Sequence, residues 1–154
     1  LNADRSVYVK DGCLRSGNDD LLKKGEVLFN NTNSQELVGK TALLTSDKRL
    51  CCSNHITRIA VDNRQVLPEY LWIVLNFYQR RGAFFNICTN WNNQSGVNAD
   101  LLKTVLVPVP SLAIQTRIVQ EVTKQITEVM RLRVEALQVV KQGKQEVEAL
   151  LAGG

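Results

Sequence analysis

The sequence has a single histidine (His55), three prolines with no two adjacent, and no apolar run of the ~18–20 residues that a bilayer span requires. Its first residues, LNADRSVYVK, contain no apolar core of a secretory leader, and Leu1 in place of methionine suggests a trimmed chain or a piece of a longer one. Cys13, Cys51, Cys52 and Cys88 form no C-x-x-C pair, so a zinc site with one histidine would need an unusual ligand set, and none is predicted. A disulfide between the adjacent Cys51 and Cys52 would be strained. Four reduced thiols in a cytoplasmic protein are the expectation, and the sequons at Asn30 and Asn93 then carry no meaning. No G-x-G-x-x-G occurs, and the absence of adjacent prolines excludes the Asn/Asp-Pro-Pro-Tyr methyltransferase motif. VGKT (Val38–Thr41) looks like the end of a phosphate-binding loop, but Ser34 stands where that pattern needs glycine, and a strand rather than a helix is predicted to follow. His55 could pair with a cysteine as a nucleophile, but a structural or surface histidine is the simpler reading. No catalytic constellation is predicted, which sets an enzyme using Cys/His chemistry aside.

What is present fits one ordinary domain with an appendage. The 154 residues are 44% hydrophobic and 22% charged, near globular averages. Net charge is +4, and most of it, +3, falls in residues 1–110. This mild basic bias permits a local nucleic-acid patch without demanding one. Strands are predicted at Arg5–Gly12, Glu26–Asn30, Glu36–Thr45 and Asn54–Asp62, the last with Thr57, Ile59 and Val61 on one face. Pro68 opens an amphipathic helix that Gly82 should stop. A long polar and aromatic loop, a helical turn near Asp100–Lys103 and a strand over TVLVPVP (Thr104–Pro110) complete the α/β (α+β) domain, read as a mixed-sheet domain over residues 1–110.

From Ser111, a candidate N-cap, to about Leu151 there is no proline and one glycine, so residues 111–154 are predicted to form one long helix. About 40 helical residues reach ~60 Å, far beyond the ~15 Å radius of gyration of such a domain. Ile118, Val129, Val140 and Leu151 recur every eleven residues, and Val122, Ile126, Ala136 and Val147 lie beside them. Eleven residues in three turns is ~3.67 per turn, close to a straight helix. This stripe predicts nearly straight pairing with a partner helix, since a long helix with an unburied stripe would be marginal.

Amides concentrate in two predicted loops. The first holds Asn31, Thr32, Asn33, Ser34 and Gln35; the second holds Asn90, Trp91, Asn92 and Asn93. Asn and Gln can contact adenine edges with two hydrogen bonds, while Lys40, Arg58, Arg80 and Arg81 could reach guanine or phosphate. These thirteen residues form the candidate DNA-contact set. Asn-rich loops are also ordinary turns, so the set alone is a weak signal.

The order of further motifs narrows the reading. Lys24–Gly25–Glu26 precedes a strand, Val38–Gly39–Lys40 follows, QSGVN (Gln94–Asn98) leads into a Leu-rich turn, and Pro108 and Pro110 lead to a helix carrying Gln115, Arg117, Ile118 and Val119. Over about residues 21–122 this resembles the specificity (S) subunit of type I restriction–modification systems. Glu26 stands where that family often has Asp, Ile114 where it often has Glu, and family members usually have more sequence before the Lys–Gly turn. The resemblance implies a non-catalytic subunit with a target-recognition domain that reads one half of a bipartite site on double-stranded DNA. It implies a spacer helix that pairs as an antiparallel coiled coil with a second copy or second half. Methyltransferase (M) and restriction (R) subunits would be the partners, with S-adenosylmethionine on the methyltransferase subunit and no cofactor on this chain. The alternative from another class is a coiled-coil scaffold domain that does not bind DNA.

Overall fold

The computed structural model describes residues 21–91 and 94–152. The strand expected at Arg5–Gly12 lies outside the described residues. The chain divides into two units, Leu1–Thr116 and Arg117–Gly154.

The first unit is built around β1 (Val27–Asn30). Its VLF run puts Val27 and Phe29 on one face and Leu28 on the other, and all three are buried. Burial on both faces requires a central strand. β1 accordingly lies between β3 (Thr41–Leu43) and β4 (Ile56–Ile59), paired antiparallel with both. On the Val27/Phe29 face the core contains Val38, Leu71, Leu75, Phe84 and Val97, with Ile59 and Val61 packed against it as their shared face predicts. Leu28 packs on the opposite face with Leu22 and Leu44. A second sheet orders β2 (Thr32–Asn33), β6 (Gln94–Gly96) and β5 (Thr89–Trp91), again antiparallel. The sequence reading expects a mixed sheet, but every described pairing is antiparallel. Ten residues separate β1 from β3, and parallel neighbours need a crossover of a dozen or more.

Helix α1 (Pro68–Arg80) begins at the predicted proline and buries Tyr70, Leu71, Val74 and Leu75, one stripe of its surface. Gly82 ends it in the left-handed region, φ 76°. The segment after it, expected to be loop, starts with a short helix, α2 (Ala83–Ile87), whose Phe84 is fully buried. The Phe84 ring meets Phe29 edge-on at 5.0 Å between centroids. It also lies over Gly39, where an added Cβ would fall 2.2 Å from ring carbon Cδ2. Gly39 has φ +84°. This left-handed residue breaks the strand expected over Glu36–Thr45 into a turn at residues 35–39 and a three-residue β3.

Helix α3 (Ala99–Lys103) matches the expected turn, with the Asn98 side chain accepting from the Leu101 amide. The strand expected over Thr104–Pro110 is instead an extended strap outside any described sheet. Prolines at 108 and 110 remove alternate amide donors, so the segment cannot complete a ladder. Two tyrosines of α1 serve its carbonyls instead. Tyr78 Oη donates to the Leu106 oxygen and Tyr70 Oη to the Pro108 oxygen, each at 2.9 Å. Val105 and Val107 pack against the core beneath the strap.

Helix α4 runs from Leu112 to Ala152, 41 residues. At ~1.5 Å per residue that is ~60 Å. Ser111 supplies its first acceptor, taking the Ile114 and Gln115 amides on its carbonyl. Arg117–Gly154, taken alone, is a single helix through Ala152. At ~100° per residue its stripe residues share one arc, and Lys124, Glu128, Arg131 and Glu135 occupy the opposite side. Ile118 and Val122 are half-buried. Val129, Val140, Val147 and Leu151 are each more than half exposed, and Ile126 and Ala136 are exposed as well. Arg131 bridges Glu128 and Glu135 on the polar side.

Candidate DNA-recognition surface

The two amide-rich segments, over 50 residues apart in sequence, meet in the second sheet. β6 lies between them. Thr32 pairs with Gly96 and Asn33 with Ser95 on one side; Asn90 pairs with Ser95 and Trp91 with Gln94 on the other. Segments read as loops are thus short strands, and Ser95 is the shared centre. Its buried hydroxyl donates to Asn90 Oδ1 at 2.6 Å. Trp91 is 56% exposed, yet its ring covers Gly96, where a Cβ would fall 2.5 Å from it. Only glycine leaves room for this contact.

Part of the amide chemistry builds the surface itself. Asn31 donates to the Asn54 carbonyl and to Thr57 Oγ1, Asn33 Oδ1 accepts the Ser34 amide, and Gln35 donates to the Phe85 carbonyl. These are turn and strut roles. They leave different atoms for a ligand on each residue: Asn33 and Asn90 use their oxygens in these contacts, and their amide nitrogens take part in none of them. Gln79 donates to the Glu36 carbonyl, tying the 35–39 turn to the end of α1 that carries the exposed Arg80 and Arg81. Lys40 is exposed and lines, with Asn30, Cys51, Cys52 and Ser53, a cavity of about 380 Å³. Asn92 and Asn93 lie outside the described residues.

Arg58 has a structural commitment. Its Nη2 donates to Glu26 Oε1 at 2.7 Å and to the Leu21 carbonyl at 2.9 Å, and its Nε to Glu26 Oε2 at 3.2 Å. Glu26 is buried and also takes the Lys23 amide. Burial pushes its carboxyl up, but the Arg58 hydrogen bonds and charge, with the Lys23 amide, outweigh that and hold it below the ordinary glutamate value of 4.5. A depressed carboxylate contributes stability above its unfolded value and loses it as pH falls through the folded one. Acid should therefore weaken the first unit below about pH 4.5. Urea midpoints measured down to about pH 3 should show this loss, and Glu26→Gln should flatten that part of the profile. Arg58→Ala should cost about 2–3 kcal/mol, less than a fully buried pair because Arg58 is 27% exposed.

Residues 4–141 match the type I restriction modification DNA specificity domain family. The chain belongs to that family. A curated relative, named as the type I restriction enzyme MjaX specificity subunit of Methanocaldococcus jannaschii, is 28% identical over 95 residues. That match covers 61% of this chain and 22% of the relative, so the matched segment spans about a fifth of that relative's length. Among the described residues no helix is long and apolar enough to cross a membrane. No group of three or more His, Cys, Asp or Glu side chains is placed there to hold a metal ion.

The specificity domain also contains residues whose importance the sequence reading missed. Ser95 gives no signal beyond its place in QSGVN. Gln115, noted only as part of a motif, is fully buried and makes three hydrogen bonds. Tyr70 and Tyr78, eight residues apart on α1, carried no hint that they would hold the strap.

Proposed function

We propose that this chain is a non-catalytic DNA-reading half of a type I specificity subunit. Its first unit reads one half of a bipartite site on double-stranded DNA, and α4 sets the distance to the other half. The meeting of two amide-rich segments on one three-stranded sheet carries this reading. The register puts Asn33 and Asn90 on one face of this sheet, flanking Ser95, and Thr32, Trp91 and Gln94 on the other, so amides on one face and an aromatic ring with a further amide on the other are available to base edges. Asn31, Ser34 and Gln35 brace the sheet, and Asn92 and Asn93 complete the segment. Lys40, Arg80 and Arg81 contact phosphates, and Arg58 steadies β1 from its edge. The stripe on α4 pairs antiparallel with a second copy or a second half. Methylation and cleavage belong to cytoplasmic methyltransferase and restriction subunits that this subunit positions, with S-adenosylmethionine held by the former.

The two kinds of contact separate under mutation. Lys40→Ala or Arg81→Ala should weaken binding to all duplexes and lower the salt dependence by about one unit of slope for each lost phosphate contact. Asn33→Ala or Asn90→Ala should change which sequence is preferred, by about 1–3 kcal/mol per lost base contact. Binding titrations at several salt concentrations, on duplexes selected from a random pool, measure both. If all four variants bind like the parent, the reading surface lies elsewhere.

A further inference from the structure

We infer that Gln115 is a positioning residue, one that fixes the first turns of α4 within the reading unit. This rests on the spacer reading of α4. Gln115 is in the first turns of the helix, and those turns, through Thr116, belong to the first unit. It is 0% exposed, the one fully buried side chain of the described helix. Its Oε1 accepts the Leu67 amide at 2.9 Å, and its Nε2 donates to the Gln65 and Pro110 carbonyls, each at 2.8 Å. The three partners lie in the turn before α1, at the N-cap of α1 and at the end of the strap.

A buried amide with every donor satisfied is stabilising only in one geometry, because moving the helix start leaves polar groups unpaired in the interior. Leu67 caps α1 without a side-chain hydrogen bond, and its own amide finds its acceptor on Gln115 of another helix. Tyr70 holds the preceding carbonyl, Pro108, from the same helix. The strap between α3 and α4 is thus registered at both of its proline carbonyls, and the helix starts from a fixed point. A ruler transmits a distance only if its mounting does not swivel, and an apolar contact at this place would tolerate sliding that three directed hydrogen bonds do not. A merely stabilising role would be served by any well-packed side chain.

The test measures the mounting separately from the ruler. Spin labels are placed through ketone side chains of the full chain at Phe77 on α1 and Thr116 in the first turns of α4, both within the first unit, leaving the cysteines in place. Labelled chains are diluted about tenfold with unlabelled chains so that only distances within one chain are read. The parent should give one narrow distance distribution. Gln115→Met and Gln115→Glu should each broaden it at least twofold while the far-ultraviolet circular dichroism is retained. Glu keeps the acceptor for the Leu67 amide but loses both donors, so its failure to restore the narrow distribution separates hydrogen bonding from packing. If either variant does not fold, Tyr70→Phe, which removes only the hydroxyl on the Pro108 carbonyl, should broaden the distribution by a smaller factor. A parent distribution that is already broad, or folded variants as narrow as the parent, overturns the inference. Selection from random duplexes is scored in parallel for the spacing between enriched half-sites. A fixed spacing in the parent that spreads over several base pairs in Gln115→Met supports the positioning role acting through the ruler. Broadened distances with no spacing preference in the parent support the positioning role and reject the spacer reading on which its purpose rests.

Discussion

Changing Val129 and Val140 together to lysine should abolish association through α4 while leaving the first unit folded. The two lie eleven residues apart on one line of the helix, 54% and 55% exposed in the isolated chain. Val147 and Leu151 continue the line at 55% and 78% exposed. Covering each large side chain of the stripe contributes ~1.5–3 kcal/mol before the cost of association is subtracted. Two lysines reverse this, since each brings a charge that must be desolvated without a partner, at several kcal/mol per charge. The charged side of α4, where Arg131 bridges Glu128 and Glu135, offers the contrast. Those pairs are about half exposed and contribute little, so Glu128→Gln should leave association nearly unchanged. Sedimentation of parent, double variant and Glu128→Gln at several concentrations checks all three expectations. A double variant that keeps the parent's mass shows that the stripe is not the association surface.

Gly39→Val should unfold the first unit. Two independent costs fall on one residue. A β-branched side chain at φ +84° is strained by ~1–2 kcal/mol or more. Its Cβ would also enter the Phe84 ring, 2.2 Å from Cδ2 and 2.6 Å from Cγ, and that ring is fully buried against Phe29. Overpacking a core costs ~1–3 kcal/mol, and this contact is at the severe end. The sum is a large part of the ~5–15 kcal/mol that holds an ordinary domain together. Gly39→Ala, with the same strain and a smaller group, should still lower the melting temperature by more than about 10 °C. Gly39→Ala combined with Phe84→Leu should lose less than the two single changes added, because the smaller side chain vacates the space. Gly82→Ala is the control. Gly82 also has positive φ but nothing within 4 Å of its added Cβ, so it should show the strain alone.

Gly39 also shows why part of the fold was legible and part was not. Strand positions follow from short-range alternation, so β1, β4 and the faces of Ile59 and Val61 could be read directly. The ends of α1 were marked by Pro68 and Gly82, and the run from Ser111 with no proline and one glycine gave α4 nearly to its last residue. A glycine in VGKTALL could be a strand residue or a left-handed turn. The choice is made by Phe84, 45 residues away, which local pattern does not contain. TVLVPVP has the composition of a strand, but whether an extended segment joins a ladder depends on a neighbour with donors to spare. Here the donors are tyrosine hydroxyls on a helix. The candidate site followed the same division. Composition found both amide-rich segments, while their pairing across Ser95 is a long-range contact. Arg58, chosen for its charge, proved to hold Glu26, a partner 32 residues away that no local motif marks.

The most direct test of the account is a selection from random double-stranded DNA with the purified full chain, with the salt dependence of the enriched duplexes measured afterwards. The expected result is enrichment of a two-part motif, two short half-sites at a fixed separation. Asn33→Ala and Asn90→Ala should shift the half-site sequence, and the Val129/Val140 double change should remove the fixed separation. A pool that stays random while the chain still associates through α4 would contradict the account, and would identify the chain as a helical assembly module that does not read DNA.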